Sequence, residues 1–126
     1  LLHYPSLALA LHFFGWTTLW WTLAQATRLM NGDAVFVDVR DGLEIAESGT
    51  IQGALRIPRG FIEFAADSNT PFHNEQLKKE SKIILVCAAG GMAALTGHTL
   101  KEMGFSNVFN VGGFSDWKKA NGPIEE

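Results

Sequence analysis

Lys82-Ile83-Ile84-Leu85-Val86-Cys87-Ala88-Ala89-Gly90-Gly91-Met92-Ala93-Ala94-Leu95 is the stretch that decides how this chain folds. Lys82 to Val86 reads as a strand, its Ile83 to Val86 an unbroken apolar run that suits burial on both faces. Ala88 to Gly91 makes a tight turn, and Met92 to Met103 reads as a helix with Gly104 beyond its end. A strand followed by a tight loop and a helix is one half of a parallel α/β unit. In such sheets ligands bind outside the carboxyl ends of the strands, where Cys87 stands on what is expected to be the central strand.

The flanking segments repeat the alternation. Ala34 to Val39 reads as a buried strand ending in the polar Arg40-Asp41-Gly42, and Leu43 to Ser48 as a short helix closed by Gly49. Ala54 to Ile57 reads as a brief strand stopped by Pro58. Phe61 to Ala66 and Asn74 to Lys79 read as two helical turns separated by the loop Asp67 to Pro71. Val108 to Val111 is a further strand, Gly112-Gly113 a turn, Phe114 to Asn121 a last short helix, and Gly122-Pro123 closes the domain. Short strands alternating with helices predict an α/β fold with a mainly parallel central sheet and helices on both faces, in three layers.

The amino-terminal part differs. Residues 1 to 27 carry no Lys, Arg, Asp or Glu, and all 23 charged side chains fall from Arg28 onward. Leu7 to Ala24 is about the shortest length that spans a bilayer, but Pro5-Ser6 just ahead of it is a helix start signal and Gly15 within it a stop signal. These favour packed pieces: a helix over Leu7 to Phe14, a strand within Trp16 to Trp21, and a helix over Leu23 to Met30 opened by Thr22 and Gln25 and stopped by Asn31-Gly32. The expected division is an apolar, helical extension over residues 1–21 and a domain over 22–126. The extension's uncharged surface suits contact with a partner, a second copy or a membrane.

Composition narrows the function. With 126 residues the chain has room for one ordinary domain. A net charge of -3 lacks the basic excess of a phosphate-backbone binder, so nucleic acid is not expected as a partner. One cysteine cannot form an internal disulfide, and four histidines without zinc-finger spacing predict no metal site. Cys87 therefore matters as a thiol if it matters at all. The small residues after it leave backbone N–H groups free to curl around an anion at the start of a helix, which favours a thiolate. The competing reading is a buried structural cysteine.

Five segments together resemble the single-domain rhodanese-like sulfurtransferases: Asp33 to Asp41 (DAVFVDVRD), Gly49 to Ala54 (GTIQGA), Ile57 to Phe64 (IPRGFIEF), Ile84 to Leu95 (ILVCAAGGMAAL) and Met103 to Trp117 (MGFSNVFNVGGFSDW). The resemblance implies a rhodanese-like fold over about residues 22 to 126. It also implies that Cys87 accepts a sulfane sulfur as a persulfide and passes it to a thiophilic acceptor. The backbone of Ala88, Ala89, Gly90, Gly91 and Met92 would then cradle the persulfide or the incoming anion. The implied partners are a small sulfur donor, thiosulfate or a persulfide, and a thiol or cyanide acceptor; no cofactor is required, and a cytoplasmic location is expected.

Two loop positions depart from the family pattern. Where active relatives usually carry arginine and then serine, this chain has Met92 and Ala93. Thiosulfate is a dianion, and replacing a guanidinium by a thioether removes a charge-assisted contact to it. Weak thiosulfate activity is therefore expected. Arg40 and Arg59 are expected to border the site; Arg59 is the candidate to supply a replacement cation, against the reading of a surface arginine paired with Glu63 one helical turn on, and Asp38 is expected to fix the neighbouring loop by hydrogen bonds. Thr50 and Gln52 stand where histidine and proline are common, in what reads as a linking turn. The related phosphatases place arginine six positions after cysteine; Ala93 occupies that position and argues against phosphoryl transfer. The rival to catalysis is a non-catalytic interaction module of the same fold, using residues 1–21 to bind a partner or membrane.

Overall fold

The computed structural model describes residues 32–126 together with the backbone of a strand at Leu19–Trp20. That strand is β1. It is followed by β2 (Val35–Asp38), α1 (Gly42–Ser48), β3 (Thr50–Ile51), β4 (Leu55–Arg56), a 3-10 turn (Arg59–Phe61) running into α2 (Ile62–Ala66), β5 (Lys82–Cys87), α3 (Gly91–Glu102), β6 (Asn107–Gly113), α4 (Phe114–Lys119) and β7 (Ile124–Glu125). The main sheet has the order β1-β6-β5-β2-β4, with every pair parallel. β5 is its middle strand, as the apolar run at 83–86 predicts.

The two-residue period of the strands sorts side chains to the two faces. Val37, Ile83, Leu85, Cys87 and Val108 pack on one face with Ile62, Ala65 and Ala66 of α2 and Ala93 and Leu100 of α3. Phe36, Ile84, Val86 and Val111 pack on the other with Phe114 and Trp117 of α4. The result is the three-layer α/β architecture the sequence predicts. The strand expected within 16–21 is present at Leu19–Trp20, on the β6 edge of the sheet. The readings of Leu7 to Phe14 and Leu23 to Met30 as helices lie outside the described residues, and so does the expected contact extension over 1–21 apart from Leu19–Trp20, which joins the sheet.

Four local readings are corrected. Asn74 to Lys79 makes successive tight turns instead of a helix: the Leu77 N–H donates to the Asn74 carbonyl and the Ser81 N–H to that of Lys78. Only Leu77 in that stretch is buried, so no apolar helical face forms there. Gly112-Gly113 continues β6 instead of turning. Gly49 to Ala54 contains β3, which pairs antiparallel with β7, Thr50 opposite Glu125 and Ile51 opposite Ile124, beyond the Gly122-Pro123 that seemed to close the domain. Finally, α4 ends at Lys119.

Candidate active site

At the carboxyl end of β5 the chain leaves the sheet through Ala88 and Ala89 and enters α3 at Gly91. The turn depends on Gly90, whose φ of 99° lies in the left-handed region that glycine enters without strain. This conformation aims two backbone donors at one atom. The Gly90 N–H reaches Cys87 Sγ at 2.9 Å and the Ala93 N–H reaches it at 3.3 Å. The sulfur belongs to a residue only 1% exposed, whereas Ala88, Ala89 and Met92 are exposed around it. A reactant must come over that rim of small and apolar side chains. Among Ala88 to Ala93 no side chain carries a charge.

Strand β6 supports the loop from beneath. Its pairing with β5 shifts between Leu85 and Val86, so that Leu85 faces Asn110 and Val86 faces Gly112, leaving Val111 as a bulge. Beyond the bulge Gly113 lies so close that a Cβ on it would sit 2.5 Å from the Ala88 carbonyl oxygen. This contact is with backbone, which cannot swing aside. Gly113→Ala is therefore expected to displace the loop, lowering stability by about 1–3 kcal/mol and slowing alkylation of Cys87 in the folded protein. Equal melting and alkylation in the variant and the parent would contradict it.

The two arginines expected near the sulfur are held elsewhere. Arg40 is buried, and its guanidinium bonds Asp38, the Ser48 hydroxyl and the Gly49 carbonyl while lying 4.4 Å over the Phe114 ring. Arg59 donates to Glu63 at 3.2 Å and to the Thr99 hydroxyl at 3.1 Å. Thr99 lies seven residues along α3 from Met92, about 10 Å of helix axis. Both guanidiniums are engaged by these partners.

Asp38 does fix its surroundings by hydrogen bonds. Its carboxylate accepts from the Arg40 backbone N–H at 3.0 Å, from the Arg40 guanidinium at 2.7 Å and from the Thr50 hydroxyl at 2.7 Å. Thr50 is thus a buried strand residue joined to this cluster, and no linking-turn residue. Because Asp38 pairs with Val86 across the β2–β5 ladder, the cluster stands one residue from Cys87. Sequence reading missed Thr50, Asn110 and the close approach at Gly113. A polar residue inside the run Val108 to Val111, followed by two glycines, was the available signal for the last two.

A family model described as the rhodanese-like domain matches residues 22–120. The chain belongs to that family. The rhodanese-like domain is 32% identical over 105 residues to the thiosulfate sulfurtransferase GlpE of Haemophilus influenzae, an alignment covering 82% of this chain and 91% of the relative. Among solved structures it is similar to a Rhodopseudomonas palustris protein of unknown function, described as a possible tyrosine phosphatase. That likeness has a TM-score of 0.84 and 33% identity, covering 94% of this chain and 93% of the other. It is also similar to the human single-domain sulfurtransferase TSTD1, with a TM-score of 0.72 and 26% identity over 82% of this chain and 97% of that one. Sulfurtransferase relatives of this kind imply a sulfur donor and a sulfur acceptor. Among the described residues no helix is long and apolar enough to cross a membrane, and no group of His, Cys, Asp and Glu is arranged to hold a metal.

Proposed function

We propose that this rhodanese-like domain is a sulfurtransferase or sulfur carrier working through a persulfide on Cys87. The observation that carries the reading is the convergence of the Gly90 and Ala93 N–H groups on Cys87 Sγ. Two oriented donors stabilise negative charge on Sγ, which the attacking thiolate carries and which returns to Sγ when the acceptor takes the outer sulfur. In the first displacement the thiolate attacks the outer sulfur of a donor persulfide RSS⁻. The Cys87 S–S bond forms as the donor S–S bond breaks, and RS⁻ leaves with the bonding pair. In the second, an acceptor thiolate takes the outer sulfur and returns Cys87 as a thiolate. Covalent catalysis of this kind gives ping-pong kinetics. In the family's pattern the backbone of Ala88, Ala89, Gly90, Gly91 and Met92 is the cradle for the transferred sulfur.

Donor choice follows from the rim. Thiosulfate would leave sulfite behind by the same displacement, but it brings two negative charges to a loop whose side chains are all neutral. Arg40 and Arg59 are committed to other partners. A persulfide donor, which brings one negative charge to the loop instead of two, is the better match. Met92→Arg is expected to raise kcat/KM for thiosulfate by about 10–100-fold, the worth of one charge-assisted contact, with a much smaller change for a persulfide donor. An unchanged donor ratio in steady-state assays would count against this account of selectivity.

The phosphatase description of the Rhodopseudomonas relative does not suit this loop. Ala93 takes the position where a phosphatase arginine would stand, and it is fully buried with its N–H on the sulfur. No cation is there to meet transferring phosphoryl oxygens. The proposal places the catalytic domain at 22–126 in a reducing, cytoplasmic setting that keeps Cys87 a free thiol. It takes the strand Leu19–Trp20 into the domain's main sheet and leaves the uncharged residues 1–18 as a contact element for a second copy or a membrane surface.

A further inference from the structure

We infer that Asn110 is a positioning residue for sulfur transfer, holding the Cys87 loop so that its amides face the sulfur. Asn110 is fully buried on β6 and uses both ends of its side chain. Its Oδ1 accepts from the Gly112 N–H at 2.7 Å, closing the bulge at Val111. Its Nδ2 donates to the Gly90 carbonyl at 2.9 Å. That carbonyl also accepts from the Ala94 N–H at 3.0 Å, so it marks the start of α3. Gly90 therefore gives its N–H to the sulfur and its carbonyl to Asn110 and α3, and Ala93 follows within the first turn. A side chain on an interior strand of the sheet thus sets the orientation of a loop that contains no fixing side chain of its own.

Without the Nδ2 donor, only the first helical hydrogen bond holds the Gly90 carbonyl. The left-handed Gly90 is then free to rotate its flanking peptides away from the sulfur. Misplacement of about 1 Å at a reacting centre can cost on the order of 100-fold in rate. Because the inference rests on the proposed sulfur transfer, its test needs one readout that involves no sulfur donor.

Asn110→Asp separates the two bonds, since a carboxylate still accepts from Gly112 but cannot donate to Gly90. Single-turnover loading with glutathione persulfide is expected to slow by about tenfold or more. The half-saturating donor concentration should stay within about twofold, because donor contacts at the rim are untouched. Iodoacetamide alkylation of Cys87 should slow by at least about threefold. Gly90 and Ala93 amide signals in the nitrogen–proton correlation spectrum should move, while those of α1 and α4 stay in place. Asn110→Ala, which removes both bonds without placing a charge in the core, is expected to give the same kinetic pattern and serves if Asn110→Asp does not fold. Wild-type loading and alkylation rates in a folded variant, with Gly90 and Ala93 signals unmoved, would overturn the role of Asn110. A wild-type protein that alkylates readily yet takes no sulfur would instead overturn the sulfur-transfer reading.

Discussion

Replacing Asp38 by alanine is expected to destabilise the domain by about 3–5 kcal/mol, the usual cost of removing one partner from a buried ion pair. Arg40 would keep its positive charge at 4% exposure with only the Ser48 hydroxyl, the Gly49 carbonyl and the Phe114 ring around it. Thr50, fully buried, would lose the acceptor for its hydroxyl as well. Urea titration of the two proteins reads the effect as a lower midpoint at unchanged slope. A loss below about 1 kcal/mol would mean that the pair is solvated in a way the buried geometry does not allow. The cluster joins the end of β2 to the α1 cap, β3 and α4, so its loss should also loosen the sheet edge that flanks Cys87.

Cys87→Ser is expected to abolish turnover from a persulfide donor to a thiol acceptor. A serine hydroxyl is too weak a nucleophile toward sulfane sulfur and cannot carry the persulfide. The two loop amides would still face the oxygen, so fold and stability should change little. Steady-state assays of donor consumption would measure it. Turnover at even a tenth of the wild-type rate would place the chemistry on another group.

Much of the fold was legible because it depends on short-range pattern. The stretches at 35–39 and 83–86 have strand length, are rich in β-branched residues and run into turn residues, which together read as buried strands. Gly49 and Gly104, both with positive φ, close helices where the sequence places helix stops. The sulfur and its loop were legible for the same reason, since strand, cysteine and glycine turn are consecutive. What was not legible arises from contacts distant in sequence. β3 is recognisable as a strand only through β7, over 70 residues later, and Thr50 reads as a turn residue until Asp38 is placed against it. Asn110 looks like an interruption of an apolar strand, and only the bulge at Val111 turns it toward Gly90. The partners of Arg40 and Arg59 were open for a related reason. Sequence placed both near the carboxyl ends of strands, but a free arginine and one claimed by Asp38 or Thr99 look alike before folding.

Intact-mass analysis of the reduced protein after brief exposure to glutathione persulfide and, separately, to thiosulfate tests the central claim most directly. A gain of one sulfur atom is expected with the persulfide, removed by a thiol and mapped to the peptide holding Cys87. Thiosulfate should give a smaller fraction loaded. No gain with either donor, in folded protein whose Cys87 alkylates, would contradict sulfur transfer by this domain.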